Sequence, residues 1–547
     1  KRNGEKTKMF FLKENKKQFT HILVIIFIVA LMITGCSSSS RQEVSDKQAG
    51  QQLEVYTVGD SDGDWGYPTP WGHYQRGPGY VRMSYIFDTL IWKDEAGFVP
   101  AIADKWIYDA SNNSYEFQVR DDILWHDGKK LTCDDIVFTF QYMKEHPYIW
   151  VDMSCIESVQ IKGKNTIEIK LNTPNAAFLT NIAATVPIIP KHVWENVEEP
   201  EKYLDSKAVI GCGPFKLLDY NKEQGTYQYE ANENYYGGEI KVKQLRFVKV
   251  NDQMATAALS NGDVNAISIQ PEMAENLKDS GFDVISESGS INVKLMFNYT
   301  KSPFDNIEFR QALAYAINRQ DLVAKAQRGY GLEGNPGMLS PENSWYNVNV
   351  EQYKYDLAKN AEILGRLGYT RETSVENEEG FWAKDGDKLS FEILCSPDLI
   401  RAAEVLKEQL KKAGVDIRIK SLENKTRDAK IIGWDFDIAL NQHGGLGGDP
   451  NTMNKLIVGD NFNSVRYFEN AELVKVLKEQ STAMDEKERI ELIDNAQKLY
   501  ALDLPALTLY YPTYYWGHDG QIPLFYTKEG IGIGVPIPLN KLSFVNR

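Results

Sequence analysis

A glycine-rich segment, residues 441–450, is the part of the sequence where a small molecule could come closest to the backbone. It contains four glycines together with His443, Leu446 and Asp449, and it follows residues 436–440, which have the pattern of a strand. Glycine has no side chain, so a ligand can approach the backbone N–H groups of such a segment. Neither a Walker sequence nor G-x-G-x-x-G fits here, so nucleotide binding explains these glycines poorly. We call this segment the glycine loop.

His443 in the glycine loop is also a possible metal ligand, because histidine often binds metals in proteins. His73 and His518 could complete a site only if the fold brings them together, since the sequence has no closely spaced histidine pair. A single loop histidine more often forms ordinary hydrogen bonds. We therefore predict no metal site and no cofactor.

Two further segments are rich in aromatic side chains, which offer a ligand large contact areas at a low cost in conformational entropy. Residues 64–74 combine Trp, Tyr, Gly and Pro as a rigid loop would, and residues 510–516 hold four tyrosines and one tryptophan. Each segment has an alternative role. The first could be a surface loop that caps one part of the protein, and the second could pack at a hinge.

The residues that would indicate catalysis do not occur in a recognisable pattern. The sequence has no H-E-x-x-H, no G-x-S-x-G and no nucleophile with a neighbouring base. The carboxylate pairs at 121–122 and 134–135 fit a turn and a helix cap. No C-x-x-C pair occurs either. We predict that the protein is not an enzyme and has no dense disulfide framework, with one bridge left open among Cys133, Cys155, Cys212 and Cys395.

The N-terminal residues have the pattern of a secretory signal. Basic residues between 9 and 17 precede an apolar run of 12 residues, 22–33, and then Gly35 and Cys36. A spanning helix needs roughly 20 apolar residues, so this run is too short to cross a bilayer comfortably. The residues around Cys36 resemble the bacterial lipobox, which implies that Cys36 is acylated. The alternative is an ordinary signal or anchor helix with an incidental cysteine.

We therefore predict a signal peptide at 1–35, a lipidated flexible tether at 36–51, and attachment to the extracellular face of the cell membrane. The net charge of the sequence is -15, and residues 1–35 carry a net charge of +5. The remainder is therefore strongly acidic, at about -20. Nucleic acid is not an expected partner, because phosphate binding needs a basic surface.

The elements that would position these residues alternate between strands and helices. Residues 115–119 alternate as a strand, and Thr132 with Asp135 predicts a helix cap. A helical stripe runs from Phe309 to Ile317, with Asp305 as its expected cap. Residues 389–395, 399–413 and 415–419 predict a β-α-β unit with a right-handed crossover. Two helices at 471–483 and 485–500 precede a strand at 506–511. The fold class is α/β, and the chain is too long for one core.

Four segments, in order along the chain, resemble the family 5 extracellular solute-binding proteins, the peptide/nickel-binding group of ABC importers. The first extends from Val99-Pro100-Ala101 through Leu124-Trp125-His126-Asp127-Gly128 to Phe138. The others are Gly211-Cys212-Gly213-Pro214-Phe215, residues 303–319 from Pro303-Phe304-Asp305, and residues 355–369 ending in Leu367-Gly368-Tyr369. These motifs identify a scaffold, and function must be argued from the site.

The resemblance implies a two-lobed periplasmic-binding-protein-like fold of type II, in the large cluster with an extra subdomain in the first lobe, and a hinge between the lobes. Lobe I would comprise residues 52–290, with an inserted subdomain at about 80–205, and lobe II residues 291–509. Residues 510–547 would return to lobe I. A ligand that contacts both lobes shifts the open–closed equilibrium towards the closed form.

The resemblance also places ligand contacts in the aromatic segments and the glycine loop. The implied binding residues are Trp65, Tyr67, Trp71, His73, His443, Gly444, Gly445, Leu446, Gly447, Asp449, Tyr514 and Trp516.

The glycine loop departs from the family at one position. Peptide-binding members commonly carry an acidic residue there that pairs with the α-amine of the ligand, and Leu446 stands at that position. A buried ammonium without a counter-charge is costly. Either another acid binds the amine, with Asp64 and Asp449 as candidates, or the ligand is not an ordinary peptide.

We therefore expect the substrate-binding lipoprotein of an ABC importer, which captures a small, oligopeptide-like solute by hinge closure and delivers it to the permease. Its expected partners are the solute, the permease subunits and the membrane through the lipid anchor, and we expect a monomer. The alternatives are a binder of a metal chelate or another non-peptide solute, and an extracellular ligand sensor.

Overall fold

The computed structural model describes residues 52–371 and 380–547. The predicted signal peptide, Cys36 and the tether at 36–51 lie outside the described residues. Within the described ranges, no helix is both long and apolar enough to cross a membrane.

Strand Ala506–His518 connects two groups of strands in the main sheet. Its first residues pair with Asn292–Phe297, and its last residues pair with Ala266–Ile269 and Asp283–Ser288. Strands Asp283–Ser288 and Asn292–Phe297 follow each other in the chain, and each pairs with a different half of the long strand. Two extended segments therefore pass from one group of strands to the other.

The strands, in chain order, are β1 Leu53–Asp60, β2 Ile91–Lys93, β3 Phe98–Pro100, β4 Ala103–Asp109, β5 Ser114–Val119, β6 Ile156–Gly163, β7 Thr166–Leu171, β8 Phe215–Asn221, β9 Thr226–Ala231, β10 Glu239–Ile240, β11 Val242–Lys249, β12 Ala266–Ile269, β13 Asp283–Ser288, β14 Asn292–Phe297, β15 Gly331–Glu333, β16 Thr370–Arg371, β17 Trp382–Lys384, β18 Asp387–Lys388, β19 Ser390–Cys395, β20 Asp416–Ser421, β21 Ile438–His443, β22 Ala506–His518 and β23 Val545–Asn546.

The α-helices are α1 Gly77–Ser84, α2 Cys133–Glu145, α3 Lys191–Trp194, α4 Ala255–Asn261, α5 Ala274–Asp279, α6 Ile307–Tyr315, α7 Arg319–Ala326, α8 Leu357–Arg366, α9 Ile400–Lys412, α10 Asn424–Ile432, α11 Thr452–Ile457, α12 Ala471–Thr482 and α13 Glu486–Asp503. Short 3-10 turns occupy Pro200–Lys202, Asp252–Met254, Pro271–Met273, Pro397–Leu399 and Lys541–Phe544, and a π turn occupies Leu179–Ala183.

The main sheet has the order β20-β19-β21-β14-β22-β12-β1-β11-β9-β8, with β13 and β15 also paired to β22. Apolar side chains form separate cores on the two sides of the connection. On one side, a large core draws on residues 56–247, 266 and 522–545 and a smaller core draws on residues 255–277, and we call this part the first lobe. The other cores draw on residues 293–511, and we call this part the second lobe. The lobe boundaries given above stay a prediction.

The periodic patterns of the sequence correspond to the observed elements. Strand β5 contains the predicted strand, and α2 begins after Thr132, whose N–H donates to Asp135 Oδ2 at 2.8 Å. In α6, Phe309, Ala312 and Leu313 are buried as the stripe predicts. The expected cap of this helix was wrong. The Asn306 side chain accepts a hydrogen bond from Phe309 N at 3.2 Å, because α6 starts one residue later than the pattern suggests.

The predicted β-α-β unit is confirmed, because β19 and β20 are parallel neighbours joined by α9. A 3-10 turn, Pro397–Leu399, precedes α9, and Gly414 follows it with φ at +81°. The question of a disulfide bridge is also answered for the described part of the chain, where Cys133, Cys155, Cys212 and Cys395 are free.

Candidate functional site

A cavity of about 190 Å³ lies where the two lobes are connected. We call it the hinge cavity. One wall is the link from β13 to β14, and the others come from a loop of the second lobe, the glycine loop and the C-terminal segment. Its lining residues are Glu287, Ser288, Gly289, Ser290, Ser340, Glu342, Asn343, Ser344, Gly447, Tyr526, Thr527, Lys528 and Glu529.

Backbone contacts hold the glycine loop against this link. Leu446 N donates to Ser290 O at 3.1 Å, and Asn343 Nδ2 donates to Leu446 O at 2.6 Å. A β-carbon at Gly447 would collide with the Ser290 side chain. A residue with a side chain at 447 would therefore displace either the Ser290 side chain or the loop itself.

Three polar atoms that line the hinge cavity are buried and accept or donate no hydrogen bond among residues 52–371 and 380–547. They are Glu287 Oε2, Ser340 Oγ and Tyr526 Oη. Ser340 is only 1% exposed. A buried polar group without a partner costs roughly 1–3 kcal/mol, and such groups are uncommon in folded proteins. Their convergence on one cavity makes it suited to a polar ligand.

Only one of the two oxygens of the Glu287 carboxylate accepts hydrogen bonds from the described residues. Its Oε1 accepts a hydrogen bond from Ser290 N at 3.1 Å and another from Ser290 Oγ. Burial raises the pKa of Glu287 above its ordinary value, and the charge of Glu342 adds to this effect, while the hydrogen bonds from Ser290 oppose it. Perturbed carboxyl groups in cavities are typical of functional sites.

The formal charge of the lining residues is negative, because Glu287, Glu342 and Glu529 face one cation, Lys528. Lys528 is exposed, so solvent screens its charge. Burial also raises the pKa of Tyr526, with the nearby charge of Glu287 as the second cause. The cavity therefore has the electrostatics of a site for a cation or a hydrogen-bond donor.

Two glycines of the glycine loop pack backbone to backbone against the C-terminal segment. A β-carbon at Gly534 would lie 3.0 Å from Gly445 Cα and 3.1 Å from Gly448 N. Gly445 and Gly534 have φ values of +92° and +94°, which favour glycine. Close approach of backbone to backbone thus accounts for these glycines in this structure.

The two acids that the sequence offered as counter-charges already have partners in the protein, Asp449 in an ion pair and Asp64 in hydrogen bonds from tyrosines. Arg489 Nη1 and Nη2 donate to the Asp449 carboxylate at 2.9 and 2.6 Å. Asp64 accepts hydrogen bonds from Tyr220 at 2.6 Å and from Tyr74 at 2.7 Å. Burial alone would raise the pKa of Asp64, but these hydrogen bonds hold it below its ordinary value.

The aromatic residues of 64–74 make their polar contacts within the first lobe. Trp65 Nε1 donates to Asp60 at 2.7 Å, and Tyr67 Oη donates to Asp205 O at 3.1 Å. Trp71 Nε1 donates to His146 O at 3.2 Å. The rings of Trp71 and His73 pack against Tyr142, Tyr148, Trp150 and Trp194.

On β22, Tyr514 and Trp516 lie beside β13. Tyr514 is opposite Glu287, and Trp516 is opposite Ile285. Burial raises the pKa of Tyr514 to about 12, with the charge of Glu287 as the second cause. Of the binding residues that the sequence predicts, Gly447 lines the hinge cavity and Tyr514 lies directly beside its carboxylate.

His443 lies in a buried polar group on one face of β14 and β21. It is opposite Asn292, and Asn441 is opposite Lys294. Lys294 Nζ donates to Asn463 O, and burial lowers the pKa of Lys294 to about 7. Burial, with the charge of Lys294 as the second cause, holds the pKa of His443 well below its ordinary value. Its surroundings therefore disfavour the charged form of His443.

The other two histidines are elsewhere. His73 is in the aromatic cluster of the first lobe, and His518 pairs with Ala266 and Asp283 in the sheet. In the part of the chain that the structure describes, no group of three His, Cys, Asp or Glu side chains could hold a metal ion. Glycine-loop residues Gly444, Gly445 and Leu446 do not line the hinge cavity, and Leu446 is buried in the second lobe's core.

A second cavity, of about 360 Å³, also lies between the lobes. Ala176 N donates to Ser481 O at 3.0 Å across this boundary. The cavity is lined by Trp150, Asp152, Ser154, Cys155, Thr173, Pro174, Asn175, Asn181, Ile182, Asn451, Asn454, Lys455, Val458, Gly459, Ser481 and Thr482.

The key cavity residues Glu287, Ser340 and Tyr526 did not emerge from the sequence. One signal was available, because the polar run from Ser286 to Ser290 interrupts two strand patterns and includes Gly289. Such a run indicates a turn between strands. It does not show that the carboxylate is buried.

Comparison with known proteins places these features in a family. A family model described as bacterial extracellular solute-binding proteins, family 5 Middle, matches residues 97–464. The oligopeptide-binding protein AppA of Bacillus subtilis is 26% identical over 541 residues, covering 91% of this chain and 94% of that protein. The heme-binding protein A of Haemophilus influenzae is 28% identical over 447 residues, covering 74% and 77%.

Solved structures agree in fold. NikA from Brucella suis in complex with Fe(III)-EDTA has a TM-score of 0.76 at 18% identity, covering 88% of this chain and 98% of that one. AppA from Bacillus subtilis in complex with a nonapeptide has a TM-score of 0.71 at 23% identity, covering 91% and 100%. The expected two-lobed periplasmic-binding-protein fold is thus confirmed. Because the family model also covers more than half of the sequence, the chain belongs to the bacterial extracellular solute-binding proteins of family 5.

Proposed function

We propose that this protein is the solute receptor of an ABC importer and that it binds an oligopeptide-like solute between its lobes. The observation that supports this most is the hinge cavity, where unsatisfied polar groups from both lobes and their connection meet. A ligand in such a position contacts parts that move relative to each other, so its binding energy favours closure. The permease would recognise the closed form.

The proposed lobes are those expected from the sequence, residues 52–290 with a subdomain at about 80–205, residues 291–509, and the return at 510–547. The proposed binding set keeps the residues of the aromatic segments and the glycine loop and adds Glu287, Ser340 and Tyr526. A peptide-like solute is favoured by relatives named as oligopeptide-binding and dipeptide-binding proteins.

A metal chelate is the competing solute class. Similar folds were solved with Ni(L-His) and with Fe(III)-EDTA. The acidic lining of the hinge cavity, with one exposed lysine, favours a solute with a positive end over an anionic chelate. An extracellular sensor would bind the same solute, and permease and ATPase genes beside its gene would favour the importer.

The proposed location is the outer face of the cytoplasmic membrane, with the protein acylated at Cys36 and monomeric. Replacing Cys36 by alanine should release the protein into the medium or leave it unprocessed. Unchanged incorporation of labelled palmitate in the Cys36→Ala variant would contradict the anchor.

The test of solute capture is native mass spectrometry of the full chain, purified in detergent, followed by small-angle scattering with and without the solute that co-purifies. We expect a bound mass in the range of a short peptide and a smaller radius of gyration in its presence. Identical scattering curves combined with chemical conversion of the solute would overturn the proposal in favour of an enzyme.

A further inference from the structure

We infer that the hinge cavity binds a primary ammonium group of the solute, with Glu287 as its counter-charge and Ser340 and Tyr526 as the other hydrogen-bond acceptors. This inference rests on the proposed function, because it assigns one end of the solute that enters between the lobes.

The number of available acceptors matches an ammonium group. A primary ammonium has three N–H donors and no acceptor. Within the described ranges, the cavity offers three buried oxygens without hydrogen-bond partners, Glu287 Oε2, Ser340 Oγ and Tyr526 Oη. One ammonium could satisfy all three at once, and it would turn three unfavourable buried groups into charge-assisted or neutral hydrogen bonds.

The hydrogen bonds that Glu287 accepts within the protein leave one of its two carboxylate oxygens free to bind the ammonium. The hydrogen bonds from Ser290 N and Ser290 Oγ both go to Oε1, so they orient the carboxylate and leave Oε2 free. Gly289, with φ at +91°, makes the turn that brings Ser290 back to Glu287. A β-carbon at Gly289 would collide with Ser340 Oγ, so this turn also sets the approach of Ser340.

The charge around the cavity selects a cation. Glu342 and Glu529 line it together with Glu287, while Lys528 is exposed to solvent. The charge of Glu342 disfavours ionised Glu287 in the unliganded protein, and a bound ammonium would offset that effect. The cavity of about 190 Å³ can hold an amino group with a few neighbouring atoms, so the rest of the solute must extend beyond it.

A primary ammonium can come from the N-terminus of a peptide or from an alkyl diamine. The experiment therefore uses three probes on the full chain after denaturing and refolding to remove co-purified solute: a random tripeptide mixture, the same mixture acetylated at the N-terminus, and 1,5-diaminopentane. Retention is measured by equilibrium dialysis and mass spectrometry. The variants are Glu287→Gln and Ser340→Ala, with Glu233→Gln at an exposed site as the matched control.

We expect the wild-type protein to retain free tripeptides at least tenfold more strongly than acetylated ones. Glu287→Gln should lose at least tenfold in retention, because an ammonium buried without its counter-charge is strongly disfavoured. Ser340→Ala should lose a smaller, severalfold amount, and Glu233→Gln should match the wild type. Thermal unfolding of each variant shows that it is folded.

The outcomes separate this inference from the proposed function. Equal retention of acetylated and free tripeptides, or wild-type retention by a folded Glu287→Gln variant, overturns the ammonium site. Retention of the diamine alone, lost in Glu287→Gln, supports the ammonium site and removes the peptide assignment. Retention of none of these probes overturns the ammonium site, while co-purification of another solute would still leave the receptor function in place.

Discussion

Two buried carboxylates, one in the glycine loop and one beside it, differ in whether the protein supplies a cationic partner. Asp449 receives two hydrogen bonds from Arg489, at 2.9 and 2.6 Å, and both groups are almost fully buried. Glu287 has no cationic partner among the described residues, and one of its oxygens has no hydrogen bond. The first carboxylate completes a structural pair within the second lobe, whereas the second is left available at the connection between lobes.

This difference explains why acidic residues alone are poor indicators of a binding site. Asp449 belongs to the segment that the sequence points to, yet its charge is neutralised inside the protein. Glu287 is available because no cation was supplied for it, and that costs stability in the unliganded state. A binding carboxylate is thus recognised by its missing partners. Two experiments test this contrast, and a third tests the contact of the glycine loop with the C-terminal segment.

The largest effect is expected from Asp449→Asn. This change removes the charge that balances the buried Arg489 guanidinium, and breaking such a pair typically costs about 3–5 kcal/mol. We expect the free energy of unfolding to fall by about 3 kcal/mol in urea titrations monitored by circular dichroism.

Asp94→Asn is the control for this experiment, because the Arg547 side chain of the Asp94–Arg547 pair, at 3.1 Å, is exposed. An exposed pair contributes about 1 kcal/mol or less. If Asp449→Asn loses no more stability than this control, Asp449 is not the structural partner that the contrast requires.

The second largest effect is expected from disturbing the contact between the glycine loop and the C-terminal segment. Gly534→Ala places a β-carbon near Gly445 and Gly448, and it also forces a side chain into the left-handed region at φ +94°. Gly262→Ala suffers the same conformational strain, with φ at +79°, but nothing lies within 4 Å of its β-carbon. The pair of variants therefore separates backbone strain from the steric clash.

We expect Gly534→Ala to lower the free energy of unfolding by about 1–2 kcal/mol more than Gly262→Ala, because overpacking costs about 1–3 kcal/mol. It should also weaken retention of the co-purifying solute, which Gly262→Ala should leave unchanged. Equal effects of the two substitutions would show that close contact between the two segments contributes neither to the stability of the protein nor to solute retention.

Much of the fold could be predicted because its signals are local. The stripe from Phe309 to Ile317 and the β-α-β unit before Ser421 depend on the periodicity of neighbouring residues, which the sequence displays directly. The helix cap is Asn306 and not the expected Asp305. Both residue types can cap a helix, so only the exact start of the helix decides between them.

The site was less predictable because its residues are far apart in the chain. Gly447 could be predicted from the glycine loop, but Glu287, Ser340 and Tyr526 meet only after the lobes have formed. Their significance also depends on missing hydrogen bonds, and no sequence pattern records these. The aromatic residues present the opposite difficulty, because the sequence pattern is clear but fits two roles. Their abundance agrees with a binding wall and equally with the packing seen for Trp71 and His73.

The smallest expected effect has the opposite sign to that of Asp449→Asn. Glu287→Gln keeps an acceptor for Ser290 and removes an uncompensated buried charge, so it should stabilise the ligand-free protein by roughly 1 kcal/mol at neutral pH. The effect is measured as a difference between the two proteins, which share all the other groups that face residue 287. These groups are Ser290, Glu342, Tyr514, Tyr526, Lys528 and Glu529.

The gain should also depend on pH in a defined direction. The folded-state pKa of Glu287 is raised above the ordinary value of 4.5, so the protonated form is favoured by folding. The contribution of Glu287 to wild-type stability is therefore fully present below pH 4.5, and it is lost as the pH rises through the raised pKa. The difference in melting temperature between Glu287→Gln and the wild type should therefore grow as the pH is raised from 4 to 8. A difference that stays constant or shrinks over this range would show that Glu287 is not an unpaired buried carboxylate.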